Sequence, residues 1–159
     1  MEWPEPVERV ASVLRASAVE TRIEEFRGGT PTAEAAASAV GCDLGQIVKS
    51  LVFDCDGRFV VALVPGDRRA DAARVAAAVG AAKARVGSAE QVEQATGFVP
   101  GAVAPFPLPL VDAVLADRQL LGHDVVWFGP GSPKHMASLA PEDLIRVARA
   151  KTVDLVRHA

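Results

Sequence analysis

A single lysine interrupts an apolar run that is short enough for one β-strand, Gln46-Ile47-Val48-Lys49-Ser50-Leu51-Val52-Phe53. The run is mostly β-branched or aromatic, which favours a strand. Because lysine is seldom fully buried, the side chain of Lys49 faces either solvent or a cavity. In solvent it is only the polar face of a half-exposed strand. In a cavity its ammonium group is a compact charge that can pair with a phosphate or orient a substrate.

A second stretch combines glycine with proline, Thr96-Gly97-Phe98-Val99-Pro100-Gly101-Ala102-Val103-Ala104-Pro105-Phe106. Residues 97–109 hold two glycines and four prolines, which excludes a regular helix or a central strand. Glycine lets the backbone approach a ligand, and proline stiffens it so that N–H groups stay aimed. Such a loop could hold an ester carbonyl and stabilise its developing oxyanion. A rigid surface loop without a catalytic role is the alternative.

The histidines and cysteines do not form a recognisable metal or nucleophile motif. His123, His135 and His158 are too dispersed for a metal site and are predicted to lie on the surface. Cys42 and Cys55 fit no metal spacing, and we interpret them as reduced thiols. We therefore expect neither a metal nor a cofactor.

Other candidate groups have simpler interpretations. No Gly-x-Ser-x-Gly sequence is present, so a serine-hydrolase triad has no support. The acidic pairs are interpreted as a turn (residues 54 and 56) and a solvated strand (residues 24 and 25). Trp3 and Trp127 are assigned to packing.

Together the lysine strand and the glycine–proline stretch resemble the YbaK/prolyl-tRNA-synthetase-associated editing-domain family, whose members hydrolyse mischarged aminoacyl-tRNA. The resemblance extends from about Val7 to Val156, in a similar order of elements. Lys49 matches the lysine of the family's strand motif, and residues 97–101 match the start of its Gly-x-x-x-Pro loop. The loop then departs from the family, with Ala102 where a second glycine is usual and Ala104 where a proline is usual.

The resemblance implies an aminoacyl-tRNA deacylase in which water attacks the ester without a metal or a protein nucleophile. Its implied partner is the acceptor end of tRNA, and an aminoacyl-tRNA synthetase is a second partner to consider. The implied catalytic residues are Lys49, Gly97, Pro100 and Gly101. The implied substrate-binding residues are Thr30, Ser50, Phe53, Phe98, Val99, Gly129, Gly131 and Ser132.

Subgroup markers do not identify the amino acid. Alanine-specific members of the family tend to carry asparagine after the lysine, whereas other subgroups carry serine or threonine, and this chain has Ser50. Cysteine-specific members show a Gly-x-Asp-type stretch after the second glycine loop, where this chain has residues 132–139. We expect a small amino acid, and leave its identity and that of the tRNA open.

The expected fold is a single α+β domain over residues 1–159, with a mixed, mostly antiparallel sheet and peripheral helices. Strands over residues 47–64 should form a hairpin around Asp56-Gly57, and the second of these strands should be central because it is continuously apolar. Helices are predicted over 5–17, from Thr30 as N-cap and Pro31 to Val40, over 70–79, over 88–96 and from Pro141. Short strands are predicted over 21–26, 84–86, 111–116, 124–128 and 152–156.

The net charge of −3 argues against a general nucleic-acid coat, but not against a protein that holds one end of an RNA. Apolar runs are too short to span a membrane and the first residues lack a signal-peptide pattern, so we expect a cytoplasmic protein. The oligomeric state is left open. Two alternatives to the enzyme remain: a non-catalytic aminoacyl- or nucleotide-binding or synthetase-docking module, and an interaction domain with a solvated lysine strand.

Overall fold

The computed structural model of the chain describes residues 3–157, in which eight strands form one mixed sheet. The predictions made for His158 and for the first two residues lie outside this range. The strands are β1 (Arg22–Glu25), β2 (Ile47–Cys55), β3 (Arg58–Pro65), β4 (Arg85–Val86), β5 (Ala113–Asp117), β6 (Val126–Phe128), β7 (His135–Leu139) and β8 (Lys151–Val153). The α-helices are α1 (Glu5–Ala16), α2 (Ala33–Val40), α3 (Ala72–Ala78), α4 (Ala89–Thr96) and α5 (Pro141–Ala148).

The strand order is β1-β7-β6-β2-β3-β5-β8, with β4 paired to β2 beside β6. Four of the seven pairings are antiparallel: β1–β7, β2–β3, β2–β4 and β6–β7. The other three, β2–β6, β3–β5 and β5–β8, are parallel. The predicted α+β fold with a mixed, mostly antiparallel sheet is thus confirmed.

The hairpin of β2 and β3 is the centre of this sheet. Asp56 and Gly57 form its turn with φ values of 55° and 90°, as a type I′ turn requires. Residues 60–64 of β3 are fully buried, because β3 lies between β2 and β5 and is covered on both faces. The prediction that β3 is central is confirmed, and the strand holds β2 rigidly in place.

Separate groups of side chains cover the sheet. On one face α1, α5 and the glycine–proline stretch pack over Val48, Val52 and Leu63. On the other face α3 covers Val60 and Phe53. A third cluster joins α2 to β2 and β6, and Trp127 is buried there as its packing assignment predicts.

The start of α2 differs from the prediction. Thr32, rather than Thr30, is the N-cap, and its Oγ1 accepts a hydrogen bond from the Ala35 N–H at 3.0 Å. Both threonines precede the alanine run, but only Thr32 is three residues from a helical N–H that needs an acceptor. Thr30 donates its own N–H to the Pro133 carbonyl instead, at 2.8 Å.

Strand β7 is absent from the sequence-based prediction. It starts at His135, directly after a polar Ser-Pro-Lys segment, and pairs with β1 on one side and β6 on the other. The remaining predicted elements are present with ends shifted by up to three residues. Over residues 3–157 no helix has both the length and the apolar character needed to cross a membrane.

Candidate active site

Along the middle of β2, one of its two edges is not paired with another strand within residues 3–157. It pairs with β6 through Ile47 and Val48, and with β4 through Phe53 and Asp54. Across the residues between these two pairings, β3 is the only strand paired with β2 in the described part of the chain. The sheet therefore has a gap beside Lys49 and Ser50.

The backbone of Ser50 faces this gap. In an antiparallel ladder, alternate residues direct their N–H and C=O groups towards and away from the partner strand. The carbonyl of Val52 points away from β3, since it accepts the Gly87 N–H at 2.8 Å. Ser50 lies two residues earlier and so points its N–H and C=O the same way. The gap thus exposes a donor and an acceptor fixed on a rigid strand.

A cavity of about 260 Å³ lies over the gap. Six of the predicted site residues reach its wall: Thr30, Lys49, Ser50, Gly101, Gly129 and Ser132. The rest of the wall consists of residues on or directly before α2 and β7, on β2 and in the glycine–proline stretch: Pro31, Thr32, Ala33, Ala36, Ile47, Val48, Leu51, Ala102, Val103, Pro133 and Met136. Elements distant in sequence therefore converge on one small chamber.

Lys49 is half-buried at this cavity. Its Nζ donates a hydrogen bond to the Arg68 carbonyl at 2.6 Å. Burial lowers the pKa of Lys49 from its usual value of 10.5, while the nearby carboxylates of Glu34 and Asp67 oppose that shift and the charge of Arg69 adds to it. The ammonium group is thus held by one carbonyl, and two carboxylates lie near enough to stabilise its charge.

Gly101 is the residue at which the glycine–proline stretch turns into the cavity. Ala102 donates its N–H to the Val99 carbonyl at 3.0 Å, with Pro100 and Gly101 between them and a Gly101 φ of +83°. This is the arrangement of a type II turn, in which proline fits the second position and glycine the third. The turn explains why these two residue types stand here, but only Gly101 of the pair lines the cavity.

Phe98 does not contact the cavity, contrary to its predicted substrate-binding role. It is 1% exposed, and its backbone N–H donates to Thr96 Oγ1 at 3.1 Å. The ring lies beneath Gly131, where a Cβ would be 2.8 Å from Phe98 Cε1. The guanidinium of Arg9 lies 4.7 Å from the ring centroid. Phe98 is therefore a buried anchor that joins two cavity-lining loops.

Gly97 also lies off the cavity. It ends α4 in a left-handed conformation with a φ of 73°, and its carbonyl accepts a hydrogen bond from Arg9 at 3.1 Å. Val99 is 52% exposed and, like Pro100, stands outside the cavity wall. The predicted roles of these residues in direct substrate contact thus have no support from the geometry.

Phe53, which was predicted to bind substrate, also lies away from the cavity. It lies on the same face of β2 as Lys49 but four residues further on, a distance of about 13 Å along a strand. There it is 2% exposed and packs with Cys55, Val60 and Val75 under α3. It belongs to the core, not to the cavity.

His135 is buried, so the prediction of a surface histidine is wrong. It is 2% exposed, and its Nδ1 lies 2.9 Å from Ser132 Oγ. Its Nε2 lies 3.3 Å from a Glu25 oxygen, and Trp3 packs against the imidazole edge-on, with ring centroids 5.7 Å apart. Sequence reasoning missed this histidine because β7 was not predicted. The Ser-x-x-His spacing across the segment was the available signal.

The chemistry that the cavity wall offers is restricted. Lys49 is the one ionisable side chain among the residues that line it. Elsewhere in residues 3–157, His, Cys, Asp and Glu side chains do not gather in threes at metal-binding distances. What remains is a positioned ammonium, hydroxyls from threonine and serine, and backbone groups on Ser50 and around Gly101.

The aminoacyl-tRNA editing domain family matches residues 28–147, a range that contains the entire cavity wall. The multifunctional Ser/Thr-tRNA deacylase ProXp-y of Escherichia coli (strain K12) is 30% identical over 131 residues, which cover 79% of this chain and 78% of that protein. The proline–tRNA ligase of Nitratidesulfovibrio vulgaris (strain DP4) is 36% identical over 99 residues, 62% of this chain and 17% of that much larger protein.

A solved structure that carries a provisional assignment as a trans-editing enzyme for prolyl tRNA synthetase superposes with a TM-score of 0.89. It is 32% identical in sequence, and the match covers 99% of this chain and all of that one. The similarity therefore extends over the whole fold and not only over the site. By the family match and by these relatives, the chain belongs to the aminoacyl-tRNA editing domain family.

Proposed function

We propose that this chain hydrolyses the ester bond between a small amino acid and a mischarged tRNA, acting on tRNA that a synthetase has released. The observation that carries the proposal is the meeting of Lys49, the Ser50 backbone and the Gly101 turn at one cavity. Membership in the editing family and the deacylase activity named for the Escherichia coli relative support it.

The proposed substrate is an aminoacyl ester on the terminal adenosine. A cavity of about 260 Å³ has room for a small side chain and the ester, while the bulk of the tRNA stays outside. The ammonium of Lys49 would position the acceptor end by pairing with a phosphate. Arg68 and Arg69 are exposed next to it and would add to that attraction.

In the proposed reaction, water attacks the ester carbonyl carbon, the carbon–oxygen bond to the ribose breaks, and the ribose oxygen leaves with a proton. The carbonyl oxygen gains negative charge as the water adds. The backbone N–H groups of Gly101 and Ser50 are the donors that could stabilise it, because the turn and the strand hold them in fixed directions. We place the reaction in the cytoplasm, where charged tRNA is used.

A non-catalytic module that binds an aminoacyl or nucleotide group is the second candidate. The cavity wall favours this candidate, because Lys49 is the one ionisable side chain among the described residues that line it and no second ionisable group is present among them to transfer a proton. Binding alone requires only the one charged group. An enzyme needs the substrate to supply part of the proton transfer.

The test is a deacylation assay with separately prepared tRNAs carrying alanine, serine, threonine, cysteine or phenylalanine. We expect hydrolysis well above the spontaneous rate for at least one small amino acid and none for phenylalanine, since a stiff wall excludes bulk. Discrimination among the small ones should be modest, because a methylene in an apolar pocket changes rates only about 10–200-fold. Binding of these tRNAs without hydrolysis would favour the second candidate.

A further inference from the structure

Ser132 lies where the cavity wall meets a buried polar pair. Its hydroxyl lies 2.9 Å from Nδ1 of His135, whose Nε2 in turn lies 3.3 Å from a carboxylate oxygen of Glu25. The side chain of His135 is buried, with 2% of its surface exposed, whereas Ser132 lines the cavity. A buried imidazole between an acid and a pocket hydroxyl constrains the hydrogen that the hydroxyl carries.

For a neutral imidazole, the proton positions follow from the charge on Glu25. If Nε2 of His135 had no hydrogen, the partial negative charge on that nitrogen would lie 3.3 Å from the carboxylate oxygen and be repelled. The contact does not meet hydrogen-bond geometry, so it acts through charge rather than through a directed bond. A neutral His135 therefore carries its hydrogen on Nε2, and Nδ1 accepts.

With His135 neutral in this tautomer, Ser132 donates its single hydrogen to Nδ1. A hydroxyl has one donor and two acceptor positions. One acceptor position is taken by the N–H of Lys134, at 3.1 Å from Ser132 Oγ. The second has no partner in the described part of the chain, and Ser132 lines the cavity. Ser132 thus offers the pocket an acceptor and no donor.

We infer that Ser132, held in this orientation by His135 and Glu25, binds the α-ammonium group of the aminoacyl ester. This inference rests on the proposed function and assigns a recognition site within it. The ester carbonyl and the phosphates are acceptors only, so they gain nothing from this hydroxyl. The α-ammonium is the strong donor that every candidate amino acid has in common. His135 is a positioning residue here, because its ring does not line the cavity.

The experiment measures binding of a stable analogue, adenosine with serine joined to the 3′ position through an amide, and of the same analogue with its α-amine replaced by hydrogen. Calorimetry on the wild-type chain should give tighter binding of the free amine by about tenfold or more, the effect of a hydrogen bond to a charged group. Ser132→Ala should remove this preference and leave the affinity for the analogue without the α-amine unchanged.

Two further variants test the positioning role. His135→Asn keeps an acceptor that can reach Ser132, so it should retain part of the preference that a purely apolar replacement loses. Glu25→Gln should weaken the preference, because the amide no longer fixes the hydrogen on Nε2. Glu24→Gln is the matched control on the adjacent residue of β1, whose carboxylate pairs with Arg22 at 3.2 Å instead. This variant should leave the preference for the free amine intact.

The possible failures are distinguishable. If the wild type binds both analogues equally, or if Ser132→Ala keeps the preference, the inference is wrong even when the chain hydrolyses seryl-tRNA. If the preference is present and depends on Ser132, but no aminoacyl-tRNA is hydrolysed, the recognition site stands and the deacylase proposal does not. Loss of affinity for both analogues in Ser132→Ala would show a structural role and would also overturn the inference.

Discussion

Phe98 and Gly131 hold the two loops of the site together by direct contact. A Cβ built on Gly131 would be 2.8 Å from Phe98 Cε1 and 3.1 Å from a carbon of Pro6. Gly131 also has a φ of +96°, a conformation that residues with a side chain rarely adopt. Glycine is therefore needed twice over, for the backbone and for the ring beneath it.

Gly131→Ala should damage both stability and activity. We expect a loss of about 2–4 kcal/mol in the free energy of unfolding, from backbone strain together with overpacking against Phe98. Deacylation should fall about tenfold or more, because the loops that carry Gly101 and Ser132 move apart. Gly122→Ala is the control, since a Cβ there meets no atom within 4 Å and the φ is ordinary. Equal effects of the two substitutions would contradict the anchor role of Phe98.

Lys49→Met should not destabilise the fold at neutral pH. Burial lowers the pKa of Lys49 in the folded chain below the 10.5 that it has in the unfolded chain. At a pH between the folded and the unfolded pKa, the unfolded chain therefore holds more protons. The stability of the wild type must then rise with pH across that window. Methionine removes this dependence, and the variant should be at least as stable as the wild type at neutral pH, with the difference shrinking as pH approaches 10.5.

Urea unfolding at neutral pH and near pH 10.5 measures this difference in the free energy of unfolding. Lys83→Met is the matched control, because Lys83 is exposed and its substitution should change the free energy of unfolding at neither pH. A Lys49→Met chain that is clearly less stable at neutral pH would mean that the bond to the Arg68 carbonyl outweighs the cost of burying the ammonium.

Activity should survive replacement of both cysteines by alanine and treatment with a chelator. Burial raises the pKa of the Cys42 thiol and of the Cys55 thiol, so the reactive thiolate is scarce at neutral pH. Neither cysteine lines the cavity. Rates are compared per folded molecule, because Cys55 is fully buried and alanine leaves a small void. Loss of turnover in a folded double variant would return a cysteine to the list of nucleophiles.

A substrate without the free hydroxyl next to the ester should react slowly. Lys49 is the one ionisable group on the cavity wall, so the terminal ribose hydroxyl is the available helper for activating water. The measurement compares the best small aminoacyl-tRNA with the same tRNA ending in 2′-deoxyadenosine. Spontaneous hydrolysis of each ester is subtracted as the control. Equal enzymatic rates would rule out assistance by the substrate.

The fold class and the lysine strand can be predicted from sequence because their signals are local. An Asp-Gly turn between two apolar runs specifies the β2–β3 hairpin, and the continuous apolar run of β3 indicates a central strand. The family resemblance brings Lys49 and Gly101 together, and the cavity contains both. These features depend on residues that are close in sequence or on motifs at a fixed spacing.

The residues that were wrongly placed depend on tertiary contacts. Phe98 follows a helix-ending glycine, and only the position of Gly131 determines that its ring is buried beneath that residue rather than facing a ligand. His135 begins β7, and the polar residues before that strand show no alternation of apolar and polar side chains that would predict it. The burial of His135 beside Glu25 results from the pairing of β7 with β1. Sequence periodicity carries no information about which distant element fills such a space.

The most direct test of the account is the single-turnover hydrolysis of the best small aminoacyl-tRNA by the wild type and by Lys49→Ala. We predict that the variant keeps the wild-type circular dichroism spectrum and melting behaviour and hydrolyses the ester on the order of a hundredfold more slowly, because the acceptor end is no longer positioned. Lys83→Ala, an exposed lysine outside the cavity, should keep the wild-type rate. A folded Lys49→Ala chain that works at the wild-type rate would contradict the assignment of this cavity as the active site.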